Sequence, residues 1–203
     1  MATLRQTFKD IADAIRSKGI TGLFKPIDMA QKIGEIRSLD GYGYLTFTAE
    51  ENTTITFKQN GSIAPHKLLK STDAVNWVKW ENPSTYGISL NAGQSVYIKA
   101  DEDSLSKTSG DSTSVYNYFS STGKIKCDGD IRSIVKLFTP GYYLYWFYGL
   151  FNDCTSLTTA PELPATNLVN YCYTNMFNGC TSLTTAPELP ATTLAIYCYS
   201  NMF

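Results

Sequence analysis

The chain has 203 residues, 43% of them apolar and 13% aromatic, with a formal net charge of −1; this suits a packed globular protein of one to three domains. No apolar run approaches the length of a membrane span, and an N-terminus charged at Arg5, Lys9, Asp10, Asp13 and Arg16 lacks the apolar stretch of a secretory signal. Residues 150–203 hold three acids (Asp153, Glu162, Glu188) and no Lys or Arg, so that end cannot neutralise phosphates, which argues against nucleic acid as a partner.

Residues 3–39 predict two short helices. Thr3 and Gln6 form a capping-box pattern, and Leu4, Phe8, Ile11 and Ile15 recur at spacings that make one apolar stripe. Lys18 and Gly19 supply a basic last turn and a glycine stop. After Pro26, Asp28 and Gln31 repeat the capping signal, and Met29, Ile33 and Ile36 make a second stripe. Helices this short are not stable alone in water. The seven stripe residues are therefore a candidate assembly surface, packing against each other, other copies or another protein. The stretch IADAIRSKG at 11–19 with KPIDMAQKIGEI at 25–36 resembles a helical segment recurrent in tail proteins of bacteriophages. That resemblance implies an assembly module, with other tail or baseplate proteins as partners and a homotrimer by analogy with phage fibres. A plain hairpin capping the next domain is the alternative.

From residue 42 the apolar period changes from helical to alternating. Residues 44–48, 54–58 and 95–99 alternate cleanly, and shorter strands are expected near 75–80, 87–90, 115–119 and 124–127. Turn signals at Asn60-Gly61, Asn82-Pro83, Asn91-Ala92-Gly93 and Ser109-Gly110 separate them. Strands at this spacing predict a β-sandwich over residues 41–125, with a long polar loop at 101–114.

The last 52 residues say one thing twice: 152–177 (NDCTSLTTAPELPATNLVNYCYTNMF) and 178–203 (NGCTSLTTAPELPATTLAIYCYSNMF) repeat at a period of 26. A fixed period of this size predicts a solenoid, in which each coil buries its apolar face only against its neighbour. Counting one period back places Ile131 under Leu157, Leu137 under Leu163, Tyr145 under Tyr171, Phe147 under Tyr173 and Phe151 under Phe177. Residues 126–151 are therefore expected to be a degenerate first coil. An ordinary coil without a polar cap at Phe203 leads to the expectation that the repeats continue beyond it. Cys154/Cys180 and Cys172/Cys198 fall in register and are expected to be buried, reduced ladders, with Cys127 as an odd fifth. Their spacing is not that of a zinc site.

The units MFNGCTSL at 176–183 and LTTAPELPAT at 157–166 and 183–192 resemble the BspA-type leucine-rich repeats of bacterial surface proteins and their phage relatives. This resemblance implies a right-handed solenoid over 126–203 with an adhesive or host-contact role. Pro161, Pro164, Pro187 and Pro190 depart from the pattern, because proline removes ladder donors.

Little in the sequence points to catalysis. His66 is the single histidine, and no nucleophile, phosphate-loop or metalloprotease motif accompanies it. Asp101, Glu102, Asp103 and Asp111 lack the spacing of a calcium loop and read as a solvated acidic stretch. Asn52 heads a glycosylation sequon that carries no weight without a secretion signal. Of the aromatic run at 142–148, Tyr142, Trp146 and Tyr148 are the candidate host-contact residues, since exposed aromatics stack on sugars and anchor interfaces; the alternative is that they seal the joint with the sandwich.

The sequence thus predicts an α+β multi-domain chain: a helical attachment segment (1–40), a β-sandwich (41–125) and a leucine-rich-repeat solenoid (126–203). The expected function is a non-enzymatic structural component of a phage tail, a fibre or baseplate-attached receptor-binding protein located on the virion. Its partners would be tail proteins and a host surface glycan or protein, with no catalytic residues, cofactor or metal and no membrane insertion. The alternative is a BspA-like adhesin on a bacterial cell surface.

Overall fold

The computed structural model describes residues 43–60, 67–81, 83, 85, 87–101, 116–135 and 147–203. Nine strands follow in chain order: β1 (Leu45–Ala49), β2 (Thr53–Asn60), β3 (Leu68–Ser71), β4 (Val78–Lys79), β5 (Ile88–Leu90), β6 (Ser95–Ala100), β7 (Tyr116–Ser121), β8 (Ile125–Asp128) and β9 (Leu157–Thr159). They form a six-stranded sheet in the order β4-β3-β6-β1-β8-β9 and a three-stranded sheet in the order β5-β2-β7. All pairs are antiparallel except β8 with β9.

Alternation explains which face each strand buries. Leu45, Phe47 and Ala49 of β1 point inward, as do Val96 and Ile98 of β6 and Ile125 and Cys127 of β8, and all are essentially without solvent contact. From the smaller sheet, Ile55 and Phe57 of β2 and Phe119 of β7 meet them. The Phe119 ring lies 4.8 Å from Phe47 and 4.6 Å from Phe57, so the two sheets close over one aromatic core.

That core does not stop where the repeats begin. Phe151 stacks on Phe119 at 5.5 Å and lies 6.4 Å from Phe47. Backbone bonds join the same regions. The N–H of Phe119 donates to the carbonyl of Leu150, β9 extends the larger sheet beside β8, and Ile131 and Glu162 bond further along. Glu50, beyond the end of β1, accepts from the Thr158 hydroxyl at 2.7 Å, which with nearby Lys126 holds its carboxyl below the usual range.

The repeats are built from turns. In residues 147–154 the N–H of Leu150, Asn152 and Cys154 donates back to the carbonyl of Phe147, Gly149 and Phe151, and the same pattern recurs in the next coils. Alternate turns place a positive φ at their third residue: Gly149, Asn175 and Asn201 at one coil position, Asp153 and Gly179 at another, and Tyr171 and Tyr197 at a third. Gly, Asn and Asp are the residues that tolerate this region best. The intervening N–H groups point along the stack. Those of Phe147, Gly149, Phe151 and Asp153 donate to Cys172, Thr174, Met176 and Asn178, and those of Tyr171, Tyr173, Asn175 and Phe177 donate to Ile196, Cys198, Ser200 and Met202, all at 2.8–3.0 Å. Rings stack at the same interval, with Phe147 on Tyr173 on Tyr199 and Phe151 on Phe177 on Phe203, 5.5–5.8 Å apart.

The structure corrects the expected α+β multi-domain architecture with helices and a leucine-rich solenoid. The described residues form strands in two sheets, and their single helical element is a four-residue 3-10 turn, Ile131–Ile134, capped by the Asp130 carboxylate. The described residues form one compact unit. Within the repeats β9 is the one strand, and it pairs with β8 rather than with the next repeat; residues 183–185 form none. The two coils carry equivalent prolines, so these do not separate them; β9 forms where it can join β8, and between the repeats hydrogen bonding runs through the turns and one parallel bridge, Asn167 to Thr193. The predicted helices at 3–39 lie outside the described residues.

The register of the first coil is corrected as well. Leu157 faces Ile125 rather than Ile131, whose N–H instead donates to Glu162, while Phe147 and Phe151 do sit over Tyr173 and Phe177. The extra residues of the first coil therefore fall between 131 and 147.

Candidate interaction surfaces

The assembly residues Leu4, Phe8, Ile11, Ile15, Met29, Ile33 and Ile36 lie outside the described residues, as do His66, Tyr142 and Trp146. Tyr148, expected at the surface, is buried. Its ring meets Tyr116 of β7 edge-on at 5.3 Å, and its hydroxyl accepts from the Asn175 side-chain amide at 2.7 Å. It seals the joint between the smaller sheet and the repeats. Strand alternation misleads here because a turn buries consecutive residues, so Phe147 and Tyr148 are both interior.

Asp101 is buried beside Lys79, whose ammonium lies 3.5 Å from its carboxylate. Asn52 is exposed, and its side-chain carbonyl accepts from the N–H of Ala92. Among the described residues no three His, Cys, Asp or Glu side chains group together, and no helix is long and apolar enough to cross a membrane.

All five cysteines are free and buried. Burial pushes the Cys172 and Cys180 thiols up to about 12 and raises Cys127 and Cys154 too. Cys180 donates to the carbonyl of Phe151 at 3.0 Å. A thiol held this far from ionisation is a poor nucleophile and a packing residue.

Two surfaces remain. The first lies on the outer face of the larger sheet, where Tyr44 and the outward residues of β6 gather with Trp77. Tyr44 is 5.0 Å from Tyr97 and 5.8 Å from Trp77, and the Lys99 ammonium sits 4.3 Å over the Trp77 ring. All three rings are half-buried, leaving part of each available. Beside them the turn at residues 71–76 is organised by Asp73. Its carboxylate accepts from the backbone N–H of Asn76 and Val75 and from the Ser71 hydroxyl, which holds it far below the usual range. That turn and β4 present Val75 and Val78 to solvent. Sequence reasoning missed this group, although the alternation of residues 44–48 and 95–99 already turns Tyr44, Tyr97 and Lys99 to one side.

The second surface belongs to the repeats. Tyr171 and Tyr197 stack at 5.1 Å on a stretch without basic side chains. Comparison with known proteins finds no match: no family model, no curated protein and no solved structure matches the chain.

Proposed function

We propose that this chain is a non-catalytic structural component of a phage tail, a fibre or baseplate-attached receptor-binding protein, which adheres to a host surface glycan or protein. The observation that carries the reading is the half-exposed group Tyr44, Trp77 and Tyr97 with Lys99 across Trp77. Aromatic faces with polar tips suit stacking on sugars or anchoring a protein, and hydrogen bonding from Tyr and Lys adds orientation. The resemblance of residues 11–36 to phage tail segments supports the virion context and assigns residues 1–40 to attachment, as a homotrimer or on another tail protein. Several copies on one particle convert weak single sites into avidity.

Deleting residues 126–203 is a poor test, because Phe151 is part of the core between the sheets. The informative experiment is a pull-down across a panel of whole bacterial cells with the full chain and with Trp77→Ala/Tyr97→Ala, checked for folding by circular dichroism. The expected result is retention by at least one cell type, weakly dependent on salt, with roughly tenfold or greater loss in the folded variant, on the scale of a binding hot spot. Undiminished binding by that variant removes the surface, and no binding to any cell removes the adhesive reading.

A further inference from the structure

A third surface lies on the outward face of the smaller sheet, where that sheet meets the repeats. β7 turns Asn117 and Phe119 inward and leaves Tyr116 and Tyr118 half-exposed on the other side, their rings 5.8 Å apart. Lys58 of β2 stands opposite Tyr118 in the strand register and is likewise half-exposed. The first coil continues this strip. Tyr148 meets the Tyr116 ring edge-on at 5.3 Å, and its hydroxyl accepts from the Asn175 side-chain amide. Gly149 sits against the same ring, where an added Cβ would lie 2.7 Å from it. Tyr116 is therefore held in place before anything binds, which lowers the entropic cost of binding.

The chemistry of the strip limits its occupant. No Asp or Glu stands on β2, β5 or β7. Lys79, Lys126 and Arg132 each lie against a carboxylate, whereas Lys58 has no such partner among the described residues. The outward neighbours Thr54, Thr56, Ser89 and Ser120 carry hydroxyls, and none of the large apolar side chains exposed elsewhere belongs to these strands. Such a face offers a protein partner no aliphatic core to bury, and one cation is too few to hold a polyphosphate backbone. Sugar rings, by contrast, stack on tyrosine faces and hydrogen-bond to hydroxyls and amides. An ammonium without a carboxylate complements an acidic sugar.

We propose that this strip is a second binding site, for a saccharide that carries a carboxylate. The acid group lies at Lys58 in a charge-assisted hydrogen bond, and the adjoining sugar rings rest on Tyr118 and Tyr116 toward Asn175. Across β2, β7 and the first two coils the strip spans about 14 Å at the spacing of neighbouring strands, room for a few sugar units. It shares no residue with the Tyr44, Trp77 and Tyr97 group, and it holds whether or not that group binds cells. Two sources present this chemistry, a uronic acid chain and the sialylated end of a glycan.

The test is calorimetric titration of the full chain with tetragalacturonate and with sialyllactose, each against its uncharged counterpart, tetragalactose and lactose. The expected result is that at least one acidic probe binds, roughly tenfold or more tighter than its counterpart, and that added salt weakens it. Lys58→Gln and Tyr118→Ala, both checked for folding by circular dichroism, should each lose roughly tenfold in affinity. Trp77→Ala/Tyr97→Ala should bind like the parent chain. Failure of both acidic probes overturns the proposal, as does equal binding of the uncharged counterparts or an unchanged affinity in Lys58→Gln. Loss of binding in Trp77→Ala/Tyr97→Ala overturns it too, because the acidic sugar would then sit on the larger sheet.

Discussion

The coils 152–177 and 178–203 have nearly one sequence and two burial patterns. Leu163 is buried and Leu189 is not, and the same holds for Phe177 and Phe203. Yet Cys172 and Cys198 are equally buried, as are Met176 and Met202. The difference separates two kinds of apolar contact that one sequence carries. Cys and Met turn into the coil and are covered by its own turns. Phe, Leu and Tyr face along the stack, and only a neighbouring coil can cover them.

The largest test of that division is a matched pair. Phe177→Ala is expected to cost about 3–5 kcal/mol in denaturant unfolding, because it opens a cavity between stacked rings, whereas Phe203→Ala should stay within about 0.5 kcal/mol. Equal losses would break the comparison. Next is Gly179→Ala. The position has φ +76°, and an added Cβ would run into the Asp153 carboxylate, so a loss of about 1–2 kcal/mol is expected in the same assay.

Alkaline pH tests the inward-facing side. Cys172 and Cys180, whose thiols rise from an ordinary 9.0 to about 12, favour the folded state fully below pH 9 and lose that contribution as pH climbs toward 12. Thermal melting should therefore hold steady through neutral pH and fall above pH 9, with a shallower fall in Cys172→Ala. Asp73 has the opposite sign: its depressed carboxyl contributes above the ordinary carboxylate range and loses that contribution on acidification, weakly because it is exposed. The smallest effect concerns rate. Native-state alkylation should be slow at all four repeat cysteines, with Cys180 and Cys198 of the outer coil reacting before Cys154 and Cys172. Rapid, uniform labelling would contradict an interior held by the turns.

The sequence made some of this legible and hid the rest for physical reasons. Alternation at 44–48, 54–58 and 95–99 fell on β1, β2 and β6, because a half-buried strand must alternate. β3 escaped because Leu68-Leu69-Lys70-Ser71 does not. The period of 26 was plain, but a period names no backbone geometry. The informative residues were Gly149, Asn175, Asn201, Asp153 and Gly179, whose types fit the left-handed turn positions they occupy, whereas Tyr171 and Tyr197 take the same conformation with no such signal. Counting back by a fixed period failed at Ile131, since a first coil bonded to a sheet follows the register of that sheet. Trp77, just ahead of β4, joined Tyr44 and Lys99 through folding alone, with β3 between β4 and β6.

The axial alignment of the coil-to-coil hydrogen bonds has a mechanical consequence. A pull on Phe203 along the stack loads those bonds one at a time, so the coils should peel in sequence, while the sheet end, where β1 is bonded on both sides, holds. Each coil released adds roughly 90 Å of extended chain. Pulled from Phe203, the molecule would behave as a short tether on a stiff anchor: the outer coil unwinds first, and the coil that carries β9 yields together with the sheet it joins.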